Sequence, residues 1–103
     1  MASLSIVSWR DIPAQVIVRH GRRTARVLLP PAFQKAVDRA AMRAGHGSSD
    51  AYLSEWRRSA PRDCGDDLDA EAAAEARRIE MRYSDQMLED LIRNKGVART
   101  PAG

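Results

Sequence analysis

Apolar and polar residues alternate over Leu4–Trp9, Ala14–Arg19 and Arg22–Leu29, the period of a half-buried strand. The first run ends at Arg10-Asp11-Ile12-Pro13, where a proline that cannot donate to a ladder predicts a stop. The second and third flank His20-Gly21, a two-residue connection ending in glycine, which predicts a hairpin because glycine reaches positive φ freely. In that register Arg19 faces Arg22, Ile17 faces Thr24 and Val16 faces Ala25. One face collects Ala14, Val16, Val18, Ala25, Val27 and Leu29. The other collects Gln15, Arg19, Arg22, Thr24 and Arg26, with Ile17 and Leu28 among them.

The period then changes to that of helices. Pro30-Pro31 opens a helix over residues 31–44, with Phe33, Ala36, Val37, Ala40 and Ala44 on one face and Gly45 as its stop. Ser48 or Ser49 caps a second helix over 49–58, striped by Tyr52, Leu53 and Trp56. Residues 61–67 read as a linker, and Asp66 or Asp67 caps a helical arm over 68–95. Ser84-Asp85 can restart the arm as a fourth helix, so one helix and two both fit its stripe. The expected fold is α+β: a small antiparallel sheet over residues 1–60, packed by two helices, then the arm to residue 96 and a flexible tail over 97–103.

Composition narrows the class. A chain of 103 residues, 44% hydrophobic and 30% charged, suits one soluble globular domain. No apolar run is long enough to span a membrane, and MASLSIVSW lacks the basic start and apolar core of a signal peptide. The single cysteine, Cys64, fits a reducing compartment, and the expected location is cytoplasmic. The net charge of +3 is unevenly spread. Residues 1–60 carry ten Lys/Arg against four Asp/Glu, and the remainder seven against ten. That asymmetry suits either an anionic partner or acidic helices packed beside a basic half.

Candidate chemistry is sparse. Two histidines, His20 and His46, and one cysteine are too few and too scattered for a structural metal site, so no cofactor or metal is expected. Cys64 lies among carboxylates that raise its pKa and blunt it as a nucleophile. The residues argue against an enzyme. The loop Gly45-His46-Gly47-Ser48-Ser49 could cradle an anion at a helix N-terminus, although a helix stop followed by a helix cap needs the same residues. Arg19, Arg22 and Arg26 could grip phosphates, or keep a water-facing sheet charged against edge pairing.

Two resemblances follow from particular segments. RTARVLLPPAFQKAVDRAAMRAGHGSSDAYLSEWRR is similar to the strand, Leu-Pro, helix, glycine turn and Ser-capped helix of ribbon-helix-helix repressors. There the strand pairs with its twin in a dimer, and Arg22, Thr24 and Arg26 would read base edges. Here, however, the strand already has a hairpin partner, and Leu28 would face the groove.

WRDIPAQVIV, FQKAVDRAAMRAG and DAYLSEWRR resemble a small bacterial virulence-factor domain family, which also forms the C-terminal part of conserved virulence factor C proteins. Its stand-alone members are encoded beside corrinoid- and folate-dependent methyl-transfer components. The resemblance therefore implies a non-catalytic accessory or scaffold subunit in one-carbon metabolism. Its partner would be a methyltransferase or a methylenetetrahydrofolate reductase-like subunit. The matching positions of interest are Trp9, Arg10, Asp11, Pro13, Asp50, Tyr52 and Trp56. With Met87 and Leu91 from the arm's apolar stripe, Trp9, Arg10, Asp11, Tyr52 and Trp56 form the candidate partner-binding set. A DNA-binding regulator is the alternative.

Overall fold

Nine elements follow one another in the computed structural model, which describes residues 1–46 and 50–98. They are β1 (Ala2–Trp9), β2 (Ile12–His20), β3 (Arg23–Leu28), α1 (Pro31–Arg43), α2 (Asp50–Ser54), β4 (Trp56–Arg58), β5 (Arg62–Cys64), α3 (Leu68–Arg82) and α4 (Asp85–Arg93). The fold is α+β. Its sheet runs β3-β2-β1-β4, with β5 also on β1 and every pairing antiparallel.

The three alternating runs are strands, with two adjustments. Pro13 does not stop the first hairpin. It lies inside β2, where Val7 pairs with Gln15 but Ser8 pairs with Pro13, so Ala14 is an extra residue in a bulge that tolerates a missing N–H. The second hairpin turns at Gly21-Arg22, not His20-Gly21, since His20 pairs with Arg23 and Val16 with Val27. Gly21, at φ 62°, is the first central residue, where a type II′ turn places its glycine. The shift is two residues, an even number, so both expected faces survive intact.

The expected helix 49–58 ends at Ser54, and Trp56-Arg57-Arg58 instead pairs with Val7–Trp9 as β4. The expected linker likewise contains β5, paired with Ala2–Leu4. β4 and β5 are two halves of one edge: residues 59–61 stand opposite only Ser5 and Ile6. Ser59 closes this gap, its N–H donating to Ile6 O at 2.9 Å and its Oγ accepting from Ile6 N at 2.8 Å.

The arm over 68–95 is two helices, parted at Tyr83, with Ser84 Oγ accepting from Met87 N at 3.1 Å. It does not stand outside a front domain. Ala72 and Ile79 of α3, and Leu88, Leu91 and Ile92 of α4, share one buried cluster with Leu4, Val16 and Val18 of the sheet and Phe33 and Val37 of α1. This helical layer covers the sheet face that carries Val16, Val18 and Ala25. The opposite face carries the exposed side chains of Arg19, Thr24, Arg26 and Leu28.

Acidic helices do meet basic elements. Arg39 pairs with Glu89 across α1 and α4 at 3.1 Å. The carboxylate of Glu75 on α3, buried to 4% exposure, accepts from Arg62 of β5 and from Arg78, each at 2.8 Å. Both arginines are half-exposed and can regain water, so the Glu75→Ala variant should lose about 1–2 kcal/mol rather than the cost of stranding a buried charge. Urea unfolding of the two proteins checks this, with Glu75→Gln expected in between.

Candidate functional site

The β1–β2 turn is the two residues Arg10 and Asp11, and it binds three separate parts of the chain. Arg10 N donates to Glu55 O at 3.0 Å, and Asp11 N donates to Gly96 O at 2.8 Å. Just before the turn, Trp9 is fully buried, and its Nε1 donates to Tyr52 O at 2.9 Å. The Trp9 ring stacks on Tyr52 at 5.9 Å and meets His46 edge-on at 6.5 Å, while Tyr52 meets Trp56 edge-on at 6.1 Å.

Arg10 holds a left-handed backbone at φ 50°, which costs a non-glycine residue about 1 kcal/mol or more. Its side chain offsets this. The guanidinium lies 5.0 Å from the Trp9 ring centroid, and Nη1 donates to Lys95 O at 2.9 Å. Nη2 approaches Glu55 Oε1 at 3.5 Å and His46 Nδ1 at 3.4 Å. Arginine can only donate, so Nδ1 of His46 is the acceptor in that contact. A backbone bond, a side-chain bond and the cation–π contact, at about 1 kcal/mol each, exceed the strain.

Between this turn and α4 lies an open cleft of about 550 Å³, lined by Arg10, Asp11, Tyr83, Met87, Leu91 and Val97, with Ser8, Asp90 and Ala98 at its edges. Its apolar surface is Met87, 42% exposed, Val97, 44% exposed, and the half-buried Tyr83. Each of its two carboxylates has one oxygen bonded: Asp11 Oδ2 accepts from Ala98 N at 2.7 Å, and Asp90 Oδ1 accepts from Gln86 Nε2 at 3.0 Å.

The structure therefore gathers the candidate partner-binding residues at one end of the sheet, in two layers. Arg10, Asp11, Met87 and Leu91 line the cleft, and Trp9, Tyr52 and Trp56 form the aromatic stack beside it. Burial removes Trp9 from any contact surface and leaves Leu91 only 7% exposed. Pro13 pairs with Ser8 beside the bulge of β2, and Asp50 opens α2.

Sequence reasoning missed Glu55, Lys95, Gly96 and Tyr83. Gly96 reads as a helix stop, and so it is, with Gly96 N bonded to Leu91 O at 2.7 Å. Its second duty, close approach to Trp9, has no local signal.

Of the anion-loop candidates, Gly45 ends α1 at φ 75° and His46 meets Arg10, while Gly47, Ser48 and Ser49 lie outside the described residues. The DNA-reading candidates Thr24 and Arg26 are exposed on β3, and Arg22 is in the hairpin turn. β3 is held by β2, and the five residues of α2 run into β4, so residues 23–58 do not form the ribbon-helix-helix unit. Among the described residues no three His, Cys, Asp or Glu side chains gather as a metal site, and no helix is long and apolar enough to cross a membrane.

The sequence profile of a family described as Virulence factor matches residues 7–92. The chain belongs to this family. The matched span begins within β1 and ends within α4, so it takes in the turn, the aromatic stack and most of the cleft. No curated protein and no solved structure matched the chain.

Two outcomes test this description. A Cβ added at Gly96, which sits at φ 87°, would lie 2.8 Å from Cζ3 of Trp9. Strain and overlap add, so Gly96→Ala should lose about 2–4 kcal/mol in chemical unfolding followed by tryptophan fluorescence. Burial, and then the Glu71 carboxylate, push the Cys64 thiol above its ordinary pKa. The neutral thiol is the poorer nucleophile, so iodoacetamide should label native Cys64 more slowly at pH 7 than the unfolded chain, the gap closing as pH rises through the native value.

Proposed function

We propose that this virulence-factor family member is a non-catalytic binding subunit that holds a segment of a partner protein in the cleft between the Arg10-Asp11 turn and α4. One observation carries the reading: residues distant in sequence build an open surface that sets the exposed apolar side chains of Met87 and Val97 beside the carboxylates of Asp11 and Asp90. Arg10 bonds Lys95 and Glu55, and one oxygen of Asp11 accepts from Ala98, so both side chains help to hold the turn. Exposed methionine and valine beside carboxylates suit an apolar anchor followed by basic residues, the pattern of a short helix or extended segment set into a groove.

The family resemblance suggests which partner to look for: a methyltransferase or methylenetetrahydrofolate reductase-like subunit of corrinoid- or folate-dependent one-carbon metabolism. Under this reading the protein works in the cytoplasm and binds neither cofactor nor metal. The DNA-binding alternative draws on exposed Arg22, Thr24 and Arg26, and it demands retention on duplex DNA that falls steeply with salt.

Affinity capture of the tagged chain from its own cells, with nuclease added to half the lysate, separates the two. The expected result is a methyl-transfer or reductase subunit that co-purifies with or without nuclease and is lost from the Met87→Arg/Val97→Glu variant. Both replaced side chains are exposed, so this variant should keep its wild-type Tm within a few degrees. Capture that disappears with nuclease, or a partner indifferent to the double variant, overturns the cleft reading.

A further inference from the structure

Among the described residues, β3 is the one long strand of the sheet that pairs on one side only. Its six residues pair regularly with β2 from His20–Arg23 to Gln15–Leu28, without a bulge or an internal proline. Leu29 N donates to Ala14 O at 3.0 Å, which sets the parity of the ladder. Residues 23, 25 and 27 turn their backbone groups toward β2, and Thr24, Arg26 and Leu28 turn theirs outward. The same three side chains are exposed on the open face, Leu28 at 77%.

The charge at this edge has one sign. Residues 12–37 contain Arg19, Arg22, Arg23, Arg26 and Lys35 and no carboxylate. Among the described residues, none of those five makes an ion pair, whereas Arg10, Arg39, Arg57, Arg62 and Arg78 all do.

We propose that β3 takes up an extended acidic segment of a partner protein by strand addition. Thr24, Arg26 and Leu28 would supply the main-chain bonds, carboxylates would oppose Arg26, and an apolar side chain would cover Leu28. A second copy of the chain fits poorly, because antiparallel β3–β3′ pairing centred on Arg26 sets that cation against itself. Single-stranded nucleic acid shares the charge complementarity but wants aromatic side chains on the face for stacked bases, and Trp9, Tyr52 and Trp56 are packed together elsewhere. Duplex DNA offers no alternating backbone donors and acceptors to pair with the strand edge. This surface is separate from the cleft, so the two proposals fail independently.

The test titrates the full chain with a short peptide of alternating Glu and Val while amide hydrogen exchange is followed by NMR. The amides of Thr24, Arg26 and Leu28 should exchange freely at first and become protected by peptide. Arg26→Glu should weaken binding at least about tenfold. Thr24→Pro should do the same while sparing the β2 ladder, because only an outward N–H is removed. If Thr24→Pro fails to fold, a peptide N-methylated at alternate residues makes the same main-chain test on the unaltered protein and should not bind. No protection at millimolar peptide, equal binding of the N-methylated peptide, protection before any peptide is added, or tighter protection by duplex DNA would each overturn the proposal.

Discussion

The left-handed backbone at Arg10 is the constraint on which the rest of the structure hangs. A two-residue turn between β1 and β2 aims two consecutive N–H groups at two different neighbours, Glu55 before β4 and Gly96 after α4. Neither neighbour is close in sequence. The turn thereby fixes the end of the C-terminal helix against the start of the sheet, and it sets β4 beside β1. Trp9 makes this a packed joint, since its ring lies against Tyr52, His46, Arg10 and the Gly96 backbone together. Strain of about 1 kcal/mol at one residue is small beside what these contacts hold in place.

With that joint closed, the two edges of the sheet have unequal fates. β1 would present a long free edge, but β4 and β5 cover it in two short pieces, and Ser59 bonds across the gap between them. The Arg62–Glu75 contact then ties β5 down to α3. Among the described residues, no strand pairs with the outer side of β3. Its edge is left to its arginines, the usual protection against unwanted pairing, yet it also exposes a leucine that such protection does not need.

How much of this was legible depended on whether the determinant was local. The runs that became β1, β2 and β3 alternate because one face is buried, so their strands and faces could be read directly, and a two-residue error in the hairpin left the faces unchanged. α1 was equally plain, since Pro31 acts at its own first turn, whereas the arm's first cap was narrowed only to Asp66 or Asp67 and its stripe fitted one helix as well as the two that Ser84 separates. β4 and β5 were invisible. Three residues carry no period, and what makes Trp56-Arg57-Arg58 a strand is the vacant edge of β1, nearly fifty residues earlier. The stripe of Tyr52 and Trp56 fits a helix as well as it fits an aromatic stack astride a helix end. The site was half legible for the same reason: Trp9-Arg10-Asp11 stood out as a motif, while Gly96 looked like nothing more than a stop.

The cleft and the tip of the β2–β3 hairpin lie at opposite ends of β2. Nine residues of strand separate them by about 27 Å, more than one short peptide segment needs to engage. Their chemistries also differ. The cleft sets Met87, Val97 and Tyr83 beside Asp11 and Asp90, whereas the hairpin and its edge carry Arg19, Arg22, Arg23 and Arg26 with no carboxylate nearby in sequence. Two surfaces of opposite chemical character are thus held at a fixed distance by one continuous strand. β2 is the rigid element that makes the spacing definite: every residue from Ile12 to Val18 is buried except half-buried Gln15, and it is hydrogen-bonded on both sides. A substitution at either end can therefore alter the surface there without altering how the two ends are held.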